Sequence, residues 1–355
     1  MAQNTATKKK YFAAANGFDG FVSYFDRIFD PHLFDRLFIL KGGPGTGKNS
    51  FMKKVASNFC DNSYDIEEFY CSSDPASLDG IIIKSGDSSV AIIDGTSPHE
   101  CDTKLPGAVD FIINLGDGWD TRWLEGNRDK IIALNDEKKS AYKNAYQYLK
   151  MGKAAFEYKN TIVKNLFDHK AAKEHGMNIL NNLSSTDHPT EKIRLISSFG
   201  KEGEKTLDTI ESISDETVKI GGEKISAHLF IDVLVKSARE RGASIQYSPS
   251  PLSTNLYDSL YLEDNKIGIY ISAESSDINA DEFLLQNRAK DLATLNKASE
   301  IVKLSKDEAV RWFKIASDFH FRLEEIYSQA MNFSNNEKLI SETTREIKII
   351  FDKNK

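Results

Sequence analysis

The sequence predicts an α/β protein: a parallel sheet with flanking helices, present twice, with long helical segments after each lobe. Three observations carry this. The apolar run Leu37-Phe38-Ile39-Leu40 leads into a glycine-rich turn and then into a helix-like segment, Phe51-Met52-Lys53-Lys54-Val55-Ala56. Gly42-Gly43 finds a partner in Gly221-Gly222, 179 residues on, with further matches on both sides. From about Asp120 to Leu183 glycines thin out and Lys, Glu, Ala and Tyr dominate.

Composition bounds the function. At 355 residues the chain is long enough for two domains. A net charge of −7 argues against a mainly electrostatic grip on nucleic acid, so no such partner is indicated. Cys60, Cys71 and Cys101 show neither metal nor disulfide spacing, and a cytoplasmic protein with free thiols is the expectation. No apolar run approaches the length of a membrane span, and Met1 to Lys10 is polar, without a signal-peptide core.

Taken in order, residues 1–10 read as a loose tail and Tyr11 to Asn16 as a short extended segment. Phe18, Phe21, Tyr24, Phe25 and Ile28 have helical spacing and predict an amphipathic helix ending near Pro31. A strand over 36–41, the glycine turn and a helix over 50–60 follow. Tyr64 to Ser73 reads as a strand, Ile81-Ile82-Ile83 as a short strand or turn, and 89–94 as a strand closed by Asp94. Val109 to Gly116 is a further strand. Tyr142, Ala145, Leu149 and Phe156 share one helical face, which predicts two or more long helices folded as a hairpin arm. Ser184 to Pro189 is the clearest linker.

The chemistry centres on Gly42-Gly43-Pro44-Gly45-Thr46-Gly47-Lys48-Asn49-Ser50. Glycines let the backbone curl so that its N–H groups point inward, and the following helix adds its positive end. Lys48 then supplies a point charge for terminal phosphates. The stretch resembles the Walker A motif of the P-loop NTPases. The resemblance implies ATP bound with Mg²⁺ by Gly42, Gly43, Pro44, Gly45, Thr46, Gly47, Lys48, Asn49 and Ser50. One position departs from the pattern: Asn49 stands where a Ser or Thr normally ligates the metal, so an amide oxygen is expected to take that role. Asp94, at the end of Val90-Ala91-Ile92-Ile93, resembles a Walker B aspartate and is the second expected metal ligand. Lys48 and Asp94 are the expected catalytic residues. Gly95 follows Asp94, so no neighbouring glutamate orients water; His99 is the nearest alternative. Asp74 and Asn114 fall at strand ends, where ligands of open α/β sheets sit.

The second half reads as a worn copy. Gly17 and Gly20 find Gly200 and Gly203, Phe51 finds Phe230, and Val90–Ile93 finds Ile267–Tyr270. Lys48 is replaced by Ala227, Asn49 by His228 and Pro44 by Glu223, and the copy of the aspartate strand ends in Ile271-Ser272. A loop without lysine and with an added acid is a poor polyphosphate site. Lys224, Arg239 and Arg241 are the cations of this half that an arginine-finger role would draw on. The division expected is 1–118, a nucleotide-binding lobe; 119–190, a helical arm and linker; 191–285, a degenerate lobe; and 286–355, a C-terminal helical segment.

The whole chain resembles a group of bacterial ATPase-like proteins with tandem P-loop domains. The segments that suggest it are Lys41 to Lys48, Cys71-Ser72-Ser73-Asp74-Pro75 with Ser77-Leu78-Asp79-Gly80, Asp94 to His99, and Pro106 to Asp110 with Asn114-Leu115-Gly116. The group implies ATP binding. Adenine is favoured because Asn296-Lys297-Ala298-Ser299 lacks the aspartate of a guanine-reading segment. Three functions stay open: a slow Mg-dependent ATPase that moves helical segments, a kinase for a small molecule or nucleotide with Arg122 and Arg128 in a lid, and a non-catalytic nucleotide switch or scaffold. Each leaves a protein or small-molecule partner to be identified.

Overall fold

The computed structural model describes residues 8–61, 63–285 and 289–353. The first half runs β1 (Lys8–Phe12), β2 (Ala14–Gly17), β3 (Gly20–Ser23), α1 (Phe25–Ile28), β4 (Arg36–Lys41), α2 (Lys48–Ser57), β5 (Asp65–Tyr70), β6 (Leu78–Ser85), β7 (Ser88–Asp94), β8 (Asp110–Asn114), α3 (Thr121–Gly126), α4 (Arg128–Leu166) and α5 (His169–Ile179). The second runs β9 (Glu191–Ile193), β10 (Ser197–Gly200), β11 (Gly203–Thr206), α6 (Thr209–Ile213), β12 (Glu216–Gly221), α7 (Lys224–Glu240), β13 (Ile245–Pro249), β14 (Tyr257–Leu262), β15 (Ile267–Ile271), β16 (Ile278–Asn279), α8 (Ala289–Gln329) and α9 (Ser334–Lys353). Of these elements, α3 alone lacks a counterpart.

The repeat extends to topology. One six-stranded sheet has the order β1-β5-β6-β7-β4-β8, the other β9-β13-β14-β15-β12-β16. Both sheets are mixed, where a parallel one was expected: β6 and β14 run antiparallel to both neighbours, and the remaining pairs are parallel. The cause is connection length. Ser85 pairs with Ser88 across a two-residue turn with Gly86 at φ +57°, and so short a link joins only antiparallel strands. Ile81–Ile83, read as a short strand or turn, lie inside this eight-residue strand and are buried.

The N-terminal reading also changes. Lys8–Lys10 belong to β1, paired with β5; the rest of the expected tail lies outside the described residues. The aromatic stripe is not one helix. Ala14–Gly17 and Gly20–Ser23 pair as a hairpin whose turn uses Gly20 at φ +96°, and only Phe25–Ile28 is helical. Positive φ at that glycine favours a tight turn over a helix.

The chain divides into two compact units, each discontinuous in sequence: 8–13, 23–143 and 312–353 in the first, 14–22 and 144–311 in the second. In the first unit, α9 packs on α2. Ile340, Ile347 and Phe351 share a core with Phe38, Leu40, Phe51, Val55 and Phe59. In the second unit, α5 packs on α7, and a Cβ on Gly176 would stand 2.7 Å from Leu234 Cδ2. The hairpin β2-β3, up to Val22, belongs to this second unit, where Asn16 Nδ2 donates to Phe199 O at 2.8 Å and Tyr146 Oη donates to Asn16 Oδ1 at 2.8 Å. The terminal helix of each half, α5 or α9, therefore packs on a helix of the other half, α7 or α2. The expected arm of paired long helices is instead one 39-residue helix, α4, followed by the short α5.

Candidate functional site

The site is built at the end of β4. This strand lies between β7 and β8, with Leu37–Leu40 buried as a continuous apolar run. Six residues, Gly42–Gly47, join it to α2. Gly45 and Gly47 have φ +71° and +88°, a region that only glycine enters without strain. Thr46 is fully buried, and its Oγ1 donates to Gly43 O at 2.9 Å, closing the turn. Among the described residues, the N–H groups of Gly43, Gly45 and Gly47 donate to no protein acceptor. Open backbone donors beside the positive end of α2 are the elements of an anion site.

Lys48, the first residue of α2, folds over the loop. Its Nζ donates to Gly42 O at 2.8 Å and Gly43 O at 2.9 Å, and stands 3.6 Å from Asp94 Oδ2. Asp94 ends β7 and is opposite Leu40 in the sheet. Its Oδ1 accepts from Thr96 N at 2.9 Å and Thr96 Oγ1 at 2.6 Å. Burial pushes its pKa above the ordinary 3.8, with a further push from Asp79, against the opposing pull of Lys48 and Thr96.

Asn49 takes a different role from the one expected. Its Oδ1 accepts the Leu78 N–H at 3.1 Å and ties α2 to the first residue of β6. The acceptor expected to face a metal is therefore used inside the fold. Ser50 is exposed on the helix. Asn114 is a turn amide: Oδ1 accepts from Gly116 N at 3.0 Å, and Nδ2 donates to Asp117. Asp74 accepts from Ser77 Oγ at 2.9 Å.

His99 is buried. Its ring stacks on Phe25 at 4.0 Å, and its Nε2 meets Asp79 Oδ2 at 3.1 Å. Burial and the nearby Asp79 charge push the Cys71 thiol well up. A cavity of about 400 Å³ is lined by Phe25, Leu37, Ile39, His99 and Cys101, and includes no residue of the glycine loop.

Sequence reasoning missed what covers the loop. A Cβ on Gly43 would stand 3.3 Å from both Trp119 and Tyr327, and one on Gly45 would stand 2.5 Å from Ser328 Oγ. Asn336 Nδ2 donates to Thr46 O at 3.0 Å, and Ser328 Oγ reaches Gly45 O at 3.5 Å. Trp119 lies just before α3, and Tyr327, Ser328 and Asn336 come from the end of α8 and the start of α9. Main-chain bonds from Asp120 N to Ala330 O and from Asn332 N to Gly118 O fix that segment beside the loop. Nothing local in the sequence links residues 290 positions apart.

The second unit lacks such a loop. Its α7 starts at Lys224, three residues before Ala227, the counterpart of Lys48, so the stretch is wound into a helical turn. The Glu223 carboxylate caps this turn through Ile225 N at 2.8 Å and pairs with Lys159 at 2.6 Å. His228 follows the Asn49 position in tying its helix to the equivalent strand: Nε2 meets Asp258 Oδ1, in β14, at 2.8 Å. Asp94 is replaced by Ile271, opposite Ile220. Lys224 pairs with Glu204, Arg239 holds Glu191 through two bonds of 2.9 Å, and Arg241 donates to Leu180 O, so each cation weighed as a finger has a partner within its own unit.

No family model, curated protein or solved structure matches the chain. Among the described residues, no helix is long and apolar enough to cross a membrane, and no three His, Cys, Asp or Glu side chains form a metal-binding group.

Proposed function

We propose that the chain is a P-loop NTPase-like protein that binds ATP with Mg²⁺ at Gly42–Ser50 and hydrolyses it slowly, coupling nucleotide state to its helical segments. One observation carries this: a six-residue glycine loop between a central strand and a helix, with Lys48 at the helix start and Asp94 3.6 Å from its ammonium group. The loop N–H groups would hold the phosphate chain. Lys48 would exchange two carbonyl acceptors for phosphate oxygens and offset charge that develops during transfer.

For Mg²⁺ the donor set fits in part. Asp94 is a carboxylate at the strand end and would hold the ion, since one carboxylate with substrate phosphates is a common Mg²⁺ environment. Asn49 is not assigned that role, because its oxygen is engaged by Leu78 N–H. The ion would neutralise charge on the phosphates. The engaged Asn49 favours a second reading, a nucleotide-binding switch without turnover.

The test is phosphate release from Mg-ATP by the intact chain and by Lys48→Ala, with equilibrium ATP binding measured on both. Release that Lys48→Ala abolishes supports the ATPase. Binding without release supports the switch. An intact chain that binds no nucleotide overturns both.

A further inference from the structure

Two carbonyls of the glycine loop are held by side chains from α8 and α9. In a trans peptide, C=O and N–H point in opposite directions. The bond from Asn336 to Thr46 O therefore turns the Gly47 N–H to the other side of the loop. Ser328, on Gly45 O, does the same for the Thr46 N–H. These are the donors that an anion would meet.

Asn336 is an expensive residue for its place. It is 6% exposed, and its Oδ1 has no hydrogen-bond partner among the described residues. A buried amide with half its capacity unmet costs stability unless its other half is needed. The repeat shows what stands there without a loop. Asn332 accepts from Ser334 N and donates its own N–H to Gly118 O, and Asp168 accepts from Lys170 N and donates its N–H to Phe283 O. Counted from these matched caps, Asn336 falls on Ala172, which is fully buried. In that unit the loop stretch is the first turn of α7, where main-chain bonds satisfy the carbonyls. The buried amide thus occurs where an open loop needs a donor, and alanine occurs where it does not.

We infer that Asn336, assisted by Ser328, is a positioning residue for phosphate binding by the glycine loop, holding the loop carbonyls outward so that the N–H groups face the anion. This rests on the phosphate-binding function proposed above.

The test titrates the full-length chain, Asn336→Asp and Ser328→Ala with Mg-ATP and with Mg-pyrophosphate by calorimetry, below the melting midpoint of each protein. Aspartate keeps the shape of asparagine but, ionised, offers no donor to Thr46 O. Asn336→Asp is expected to weaken both ligands by about 10-fold or more, and Ser328→Ala by roughly 3-fold. The two ligands lose alike because the loop reads only phosphates. A merely structural role would lower the melting midpoint and leave the affinity of the folded protein unchanged. Wild-type binding that both variants retain within about 2-fold overturns the positioning role alone. If Asn336→Asp does not fold, Ser328→Ala decides by the same limit. A wild-type chain that binds neither ligand overturns the phosphate site itself and this role with it.

Discussion

Lys48 Nζ lies 3.6 Å from Asp94 Oδ2 while donating to the carbonyls of Gly42 and Gly43, so the one ammonium group links the helix start, the loop and the end of β7. Both side chains are largely buried, 12% and 18% exposed, which makes each sensitive to loss of the other.

Lys48→Ala is expected to weaken Mg-ATP binding by about 10- to 100-fold, the range for losing a charge-assisted contact. Calorimetric titration checks this. Affinity within a factor of about two of wild type would remove Lys48 from the site.

Asp94 gives a pH signature. Its folded pKa is raised, chiefly by burial, above the unfolded value. Its contribution to stability is therefore full below the ordinary carboxylate range and is lost as pH rises through the raised value. Asp94→Asn removes that loss. The melting temperature of the variant relative to wild type should rise from pH 4 to pH 8, while any Mg-dependent turnover falls. Melting curves across pH that run parallel for the two proteins would contradict this.

Asn49→Thr separates fold from function. It removes the acceptor of Leu78 N–H and should cost about 1 kcal/mol in urea unfolding. It also restores the hydroxyl that the Walker A resemblance expects at this place. Turnover, or the Mg²⁺ dependence of ATP binding, should rise. A variant that loses stability and gains neither would assign Asn49 to the fold alone.

In the second unit, burial alone would raise the Asp258 pKa, but bonds from His228 and Ser197 and the nearby Lys224 hold it below the ordinary range. Its stabilising contribution is present above the unfolded carboxylate value and is lost as pH falls through the folded one. His228→Ala leaves this carboxylate buried and less compensated, and should cost about 3 kcal/mol at pH 7 with nucleotide affinity unchanged. Altered affinity in the folded variant would give the second lobe a share in binding.

Local signals made much of the chain legible. The apolar run of β4 was placed over 36–41, the span observed, because a fully buried strand has an unbroken apolar sequence. The repeat was found from glycine spacing and is matched by the strand orders of the two sheets. Asn49 and His228, aligned from sequence, tie α2 to β6 and α7 to β14, the equivalent strands of the two sheets. The hairpin at Ala14–Ser23 was missed because phenylalanines at helical spacing outweighed a single turn glycine.

The sequence by itself determined the strand–loop–helix unit at Gly42–Lys48, its degeneration in the second half and the duplicated order of elements. Glycine conformation, side-chain period and charge are local properties that a linear chain displays. Tertiary structure decided that α9 packs on α2, that Asn49 binds Leu78 and that Asn336 holds the carbonyl of Thr46. An amphipathic helix shows that it must bury a face but not against what, and a buried amide shows its acceptor only when folding brings the two together.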